Sequence, residues 1–185
     1  MALKLDMSKA YDRVEWEYLE SIMRRMGFDE RWIHLTMTCV RSVSYSVLIN
    51  GSPQGHITPT RGLRQGDPLS PYLFLICAEG LSSLISEAER VGSITGLSVA
   101  RGGPSLSHLF FADDSLLFCR ANFAEWCAIH EILESYEQAS GQKINKDKTS
   151  IFFSHNTGLV SKIIFTPSLE FLYPTAWINI WGSQL

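Results

Sequence analysis

The sequence predicts an α+β fold in which an antiparallel sheet carries helices packed on one face. Three observations indicate this class: strand-length segments of alternating polarity, longer segments with apolar residues at helical spacing, and short turns between many of them. Hairpins interleaved with helices are typical of such folds, whereas strict strand and helix alternation would predict a parallel sheet. The length of 185 residues suits one domain with a hydrophobic core.

Composition and charge exclude several classes of protein. With 45% hydrophobic and 19% charged residues, the chain is neither collagen-like nor wholly disordered. The formal net charge of −3 means that any binding of nucleic acid must rest on a local basic cluster. The four cysteines form no CxxC pair and no signal peptide opens the chain, which favours an intracellular location, nucleus or cytoplasm. No membrane association is expected, because no apolar run approaches the ~20 residues of a spanning helix.

The first part of the chain predicts one strand and two helices. The opening residues alternate apolar and charged positions, which indicates a strand that ends at Asp6. Ser8 can cap a helix whose apolar residues recur at helical spacing as far as Met26, and Gly27 would end it. A second helix is expected over residues 29–40, where apolar residues again recur at helical spacing.

The middle of the chain predicts a hairpin followed by a long helix. A strand over residues 43–49 leads into Asn50-Gly51, a strong hairpin signal, and the return strand is expected over residues 54–60. A helix over residues 69–85 follows, with Asp67 or Ser70 as its cap. Because apolar residues surround that helix almost completely, it is expected to be buried.

The last part of the chain predicts a second hairpin, a helix and a final strand. Two short apolar runs enclose Asp113 and Asp114, which places both aspartates at the tip of a hairpin. An amphipathic helix is expected over residues 123–139 and a strand over residues 151–153. From Asn156 onward the sequence follows no readable period.

Three aspartates fall at strand ends or turns and are therefore free to meet: Asp6, Asp113 and Asp114. Clustered carboxylates repel one another, so such a group calls for a cation, and hard oxygen ligands favour Mg²⁺ or Mn²⁺. Two such ions about 3.5–4 Å apart can activate an attacking oxygen and stabilise a leaving one. An Asp-Asp pair alone is more often a solvated turn, but here apolar runs flank it.

Four segments, in this order, carry a family resemblance: KLDMSKAYDRV, RGLRQGDPLSPYLF, FADD and GQKINKDKTS. Together they resemble the palm motifs of reverse transcriptases, especially those of plant non-LTR (LINE-like) retrotransposons. The resemblance covers residues 1–154 and leaves residues 155–185 as an unmatched tail. It implies a polymerase palm-like fold and an RNA-directed DNA polymerase that uses two-metal-ion nucleotidyl transfer.

The resemblance assigns the metal and proton-transfer roles. It implies that Asp6, Asp113 and Asp114 are catalytic and hold Mg²⁺ or Mn²⁺, with Asp113 the more direct ligand of the adjacent pair. Met7 would add a backbone carbonyl. Lys148, or less securely Lys143, resembles the catalytic lysine beside the departing pyrophosphate.

The resemblance also implies residues that bind substrates. Tyr11 matches an aromatic that crowds the sugar 2′ position, although as part of a helical stripe it is equally well explained as a core residue. Gln65 and Gly66 match a pair that binds the incoming nucleotide. Arg61 and Arg64 can bind template phosphates, or they can form a solvated surface pair.

The implied partners are an RNA template, a DNA primer and deoxynucleoside triphosphates. Full-length relatives carry a fingers region upstream and a thumb downstream, and the resemblance implies a truncated palm in which both are missing. The alternative is therefore a non-catalytic remnant of a retrotransposon. A metal-dependent phosphohydrolase is less favoured, because Gln65, Gly66 and Tyr11 would then have no role.

Overall fold

The computed structural model describes residues 1–98, 100, 102–111, 114–154 and 157, together with the backbone of residues 177–180. Along the chain the elements are β1 (Ala2–Asp6), α1 (Trp16–Arg25), α2 (Glu30–Arg41), β2 (Tyr45–Ile49), β3 (Ser52–Ile57), α3 (Ser70–Arg90), β4 (Leu97–Ser98), β5 (Ser105–Leu106), β6 (His108–Phe111), β7 (Asp114–Phe118), α4 (Phe123–Ser140), β8 (Ser150–Phe153) and β9 (Trp177–Ile180). Asp113 lies outside the described residues, as does most of the predicted tail.

A five-stranded sheet forms the centre of the fold, in the order β6-β7-β1-β8-β9. β1 pairs antiparallel with β7 on one side and with β8 on the other, and β9 runs parallel to β8. The pairs β2-β3 and β4-β5 are separate two-stranded hairpins. In the β1-β7 register Asp6 is the direct partner of Asp114. Strand pairing therefore brings two residues together that are far apart in the sequence.

One face of the sheet is buried under helices. Alternate residues of β1, such as Leu3 and Leu5, are buried, whereas Lys4 between them is exposed, as expected for a half-buried strand. A single hydrophobic cluster joins the buried strand residues to those of α1, α3 and α4, which include Leu19, Cys77 and Ile129. The α+β prediction with helices on one face is thus confirmed.

The predicted first helix begins later than expected. Residues 8–13 form turns, and α1 starts only after its N-cap, Glu15. In a helix the carbonyl of Tyr11 would accept from the amide four residues on, but here it accepts from Leu63 N at 2.8 Å. A long-range hydrogen bond thus replaces a local one, and the expectation that Ser8 caps this helix was wrong.

The helix α3 is longer and less buried than predicted. It extends to Arg90, and its N-cap is Leu69. The carboxylate of Asp67 accepts from Leu69 N at 2.8 Å, so it orders the turn before the helix without capping it. On the outer face Tyr72 is 67% exposed and Leu75 is 59% exposed. The helix is therefore buried on one face, which includes Leu73 and Ile85, and the expectation that it would be buried all round was wrong.

Other predicted elements are confirmed together with the local signals that predicted them. The Asp29 side chain caps α2 by accepting from Arg31 N at 2.9 Å. Asn50 and Gly51 both have positive φ, 52° and 81°, as the hairpin turn requires. Gly141 ends α4 in the left-handed conformation, with φ of 76°. Within the described part of the chain, no helix has the length and apolar character needed to cross a membrane.

Glu125 connects the first turn of α4 to the end of β7. Its side chain is buried, and its Oε2 accepts from Thr95 N and Arg120 N, both at 2.9 Å. Burial alone would raise the pKa of this carboxyl, but the backbone hydrogen bonds from Arg120 and Thr95 outweigh burial and lower it. The carboxylate therefore stabilises the fold as long as it is ionised.

Glu125→Ala is expected to lower the free energy of unfolding by about 3 kcal/mol, because two backbone amides lose their acceptor. Glu125→Gln keeps an acceptor oxygen and should lose less. Folding lowers the pKa of the Glu125 carboxyl. The contribution of Glu125 to the free energy of unfolding is therefore complete above pH 4.5, its ordinary pKa, and disappears as the pH falls through its lower pKa in the folded protein. Urea unfolding of the three proteins at pH 7 and in acid measures both effects, and equal stability at pH 7 would contradict this assignment.

Candidate active site

A cleft of about 830 Å³ opens at the end of β1, where three distant segments of the chain meet. The segments are the turns after β1, the turn before α3 and the loop before β8. Five of the predicted site residues line the cleft: Asp6, Tyr11, Gln65, Gly66 and Lys148. The fold thus gathers in one place residues that come from three of the four sequence motifs.

Two carboxylates of the predicted acidic group lie at the same end of the sheet. Asp6 is the last residue of β1 and Asp114 is the first of β7, and the two are direct partners in the register. Side chains of directly opposed residues project from the same face, with Cβ atoms roughly 4.5–5.5 Å apart. The Asp6 side chain is 19% exposed and that of Asp114 is 48% exposed, so both are accessible to a ligand.

The predicted third carboxylate, Asp113, lies outside the described residues. Among the residues that are described, no three His, Cys, Asp or Glu side chains come together as a metal-binding group. The observed part of the acidic group is therefore the pair Asp6 and Asp114.

A lysine lies beside each of these carboxylates. Lys148 Nζ is 3.8 Å from Asp6 Oδ1, and Lys4 Nζ is 3.5 Å from Asp114 Oδ1. Both lysines are substantially exposed, so these ion pairs contribute little to stability and can be exchanged for other partners. The sequence prediction missed Lys4, although its position two residues before Asp6 places both on the same face of the strand.

Tyr11 lies between the core and the cleft. Its ring stacks on Phe74 of α3, with centroids 4.9 Å apart and planes at 15°. The ring is half-buried against the hydrophobic cluster and also lines the cleft. Both sequence interpretations of Tyr11 therefore describe part of its environment, because the residue packs and also faces the cleft.

Gln65 and Gly66 form the turn that leads to α3, and both are exposed. Gly66 has φ of 82°, a left-handed conformation that residues with a Cβ rarely adopt. Among the described residues other than its two chain neighbours, none has a heavy atom within 4 Å of the position that a Cβ would occupy there. The requirement for glycine at this position is therefore one of backbone conformation.

The two predicted template-binding arginines and the second candidate for the catalytic lysine do not line the cleft. Arg61 Nη1 is 3.1 Å from Glu15 Oε1. Arg64 lines a separate small cavity with Cys39 and Tyr45. Lys143 Nζ is 3.0 Å from Glu137 Oε2, so of the two lysines considered for the same role only Lys148 faces the cleft.

The sequence of this chain matches one family model and several proteins of known sequence. The family model described as reverse transcriptase (RNA-dependent DNA polymerase) matches residues 1–173. An uncharacterised mitochondrial protein of Arabidopsis thaliana is 56% identical over 68 residues. A Pol polyprotein from the retrotransposable element R2 of Popillia japonica is 30% identical over 187 residues, and a transposon TX1 protein of Xenopus laevis is 30% identical over 148 residues.

These matches differ in coverage. The match to the Arabidopsis protein covers 37% of this chain and 56% of that protein. The match to the Popillia polyprotein covers 96% of this chain and 29% of the polyprotein. The match to the Xenopus protein covers 80% of this chain and 11% of that protein. The match therefore spans about half of the Arabidopsis protein and less than a third of the longer Popillia and Xenopus proteins.

Two solved structures share the fold. The telomerase of Candida albicans, solved with a fragment of telomeric RNA, superimposes on this chain with a TM-score of 0.62 at 16% identity. The superposition covers 85% of this chain and 28% of the telomerase chain. The telomerase of Candida tropicalis has a TM-score of 0.59 at 18% identity, with 80% and 29% covered. At such low identity the likeness extends to the fold alone.

Proposed function

Because the chain belongs to the reverse transcriptase family, we propose that it supplies the catalytic centre of an RNA-directed DNA polymerase acting by two-metal-ion nucleotidyl transfer. The observation that carries the proposal is the direct pairing of Asp6, which lines the cleft, with Asp114 on the neighbouring strand. Two carboxylates in this position repel each other, and a bound cation would relieve the repulsion.

The donor set fits a divalent cation. Carboxylate oxygens are the ligands that Mg²⁺ and Mn²⁺ prefer, and such sites use one or two carboxylates together with substrate phosphates. Asp6, Asp113 and Asp114 would hold the ions, with the Met7 carbonyl as a further oxygen. When bound, the ions would activate the attacking 3′ oxygen and neutralise charge on the leaving phosphate.

The remaining cleft residues would bind and orient the nucleotide. The Tyr11 ring would exclude a ribose 2′-hydroxyl, and Gln65 with Gly66 would contact the incoming nucleotide. Lys148, whose ammonium is near Asp6, would donate a proton to the departing pyrophosphate. Arg61 and Arg64, outside the cleft, would contact template phosphates.

The proposed partners follow from this arrangement: an RNA template, a DNA primer and deoxynucleoside triphosphates. The structurally similar Candida albicans telomerase was itself solved with RNA. Lys4 is exposed on the face of β1 that also carries Asp6, which would allow a primer and template to approach this side of the sheet.

Primer extension tests the proposal. The purified chain is incubated with an RNA template, a DNA primer, deoxynucleotides and either Mg²⁺ or Mn²⁺, beside an Asp113→Asn variant. We expect incorporation that requires the divalent ion, stops on addition of a chelator and is lost in the variant. Incorporation by neither protein would favour the non-catalytic remnant, and cleavage of nucleic acid without incorporation would favour a phosphohydrolase.

A further inference from the structure

The segment that leads from the last residue of α4 towards β8, residues 140–145, lies along the turns that follow β1. Three backbone hydrogen bonds join them: Asn145 N to Asp6 O at 2.8 Å, Ser8 N to Lys143 O at 2.8 Å, and Glu15 N to Ser140 O at 2.9 Å. Gly141 permits this approach, because a Cβ there would be 2.5 Å from Arg13 O. The segment therefore holds the wall of the cleft between Asp6 and α1.

Gln142 adds a side-chain link to these backbone contacts. Its Nε2 donates to Ala10 O at 2.7 Å, across 132 residues of sequence. The residue is fully buried, and its Oε1 has no hydrogen-bond partner within the described structure. A buried acceptor without a partner costs free energy that an apolar residue of similar size would avoid. The amide is therefore better explained by the group that it positions than by its contribution to stability.

The group that Gln142 positions is the peptide between Ala10 and Tyr11. Ala10 O accepts from Gln142 Nε2 and Tyr11 O accepts from Leu63 N, so the carbonyls before and after the Tyr11 side chain are held by two different segments of the chain. The nearby Lys9 has φ of 52°, a conformation that is rare for a side chain with a Cβ and that needs support from surrounding contacts. Without the Gln142 link, Ala10 and the Tyr11 ring would be free to shift relative to Asp6.

We propose that Gln142 is a positioning residue for nucleotide selection: by holding Ala10 O, it fixes the Tyr11 ring at the distance that excludes a ribose 2′-hydroxyl. This inference rests on the function proposed above for Tyr11. Excluding one hydroxyl group depends on the position of the Tyr11 ring to within a fraction of an ångström. Asp6, in contrast, is held by a backbone hydrogen bond from Asn145, which does not involve the Gln142 side chain. Loss of the link should therefore change sugar selection more than catalysis.

The first test needs no enzymatic activity. Fluorotyrosine is incorporated at position 11, and its ¹⁹F resonance is recorded in the wild type, in Gln142→Met and in Gln138→Met. Gln138 is an exposed glutamine on α4 and provides the matched control. We expect the resonance to shift or broaden only in Gln142→Met. An unchanged resonance in that variant would overturn the inference.

The second test measures selection directly, as the ratio of kcat/KM for a deoxynucleotide to that for the matching ribonucleotide. Gln142→Met should lower this ratio roughly tenfold, mainly by raising ribonucleotide incorporation, while Gln138→Met leaves it unchanged. Where the methionine variant does not fold, Gln142→Asn keeps the amide but is too short to reach Ala10 O.

Tyr11→Val is measured in parallel, to separate the role of Gln142 from that of Tyr11. If it changes the ratio and a folded Gln142 variant does not, the inference is wrong but Tyr11 keeps its role; if Tyr11→Val has no effect either, both roles are wrong.

Discussion

Asp6→Asn is expected to lower deoxynucleotide incorporation by on the order of 10³-fold while the protein stays folded. The substitution keeps the size of the side chain but removes the charge that, with Asp114, would hold the divalent ion. Folding should be unaffected, because the substitution leaves the backbone pairing of β1 and β7 unchanged. The ion pair that it removes, between Asp6 and Lys148, is long and partly exposed and therefore contributes little to stability. Primer extension and thermal unfolding of the same preparation measure the two effects.

Asp12→Asn is the matched control for this substitution. Asp12 belongs to the same motif and is exposed, but it does not line the cleft, and the hydrogen bond that it donates to Lys9 O comes from its backbone. Its incorporation rate should match the wild type within about twofold, as for a surface substitution away from the site. Full activity in Asp6→Asn, or an equal loss in Asp12→Asn, would show that the Asp6-Asp114 pair is not the catalytic centre.

Local signals predicted most of the elements. The Asp29 cap, the Asn50-Gly51 turn and the Gly141 stop each act over a few residues, so the sequence alone defines them. The start of α1 could not be predicted in this way, because the chain after β1 forms hydrogen bonds with Leu63 and Ser140, both far along the sequence. Regular apolar spacing cannot reveal that distant backbone groups will compete for the same carbonyls and amides.

Part of the lining of the cleft was predictable from the sequence, but its geometry was not. The motifs identified Asp6, Tyr11 and Lys148, yet only the β1-β7 register shows that Asp6 meets Asp114 and not another residue of β7. Gln142 belongs to the motif GQKINKDKTS, but its residue type does not predict burial, since a glutamine is usually exposed. Its complete burial and its contact with Ala10 O depend on the tertiary packing.

Tyr11→Val is expected to lower discrimination against ribonucleotides by roughly 10²-fold, as measured by single-nucleotide incorporation. Removing the ring opens space above Phe74 where a 2′-hydroxyl could fit. Tyr11→Phe is the control, because it keeps the ring and its stacking on Phe74 and should retain most of the discrimination. The valine variant should also lose about 1 kcal/mol of stability with the stacked pair, which thermal unfolding detects.

The Tyr11 and Asp6 substitutions affect different quantities, and this difference separates their roles. A residue that holds the ions acts on every nucleotide, so Asp6→Asn should lower incorporation of deoxynucleotides and ribonucleotides by the same factor. A residue that only excludes the 2′-hydroxyl acts on ribonucleotides, so Tyr11→Val should change the ratio and leave deoxynucleotide kcat nearly unaltered. If Tyr11→Val instead lowers both rates equally, the ring supports the core beneath the cleft, and selection between sugars must come from another part of the protein.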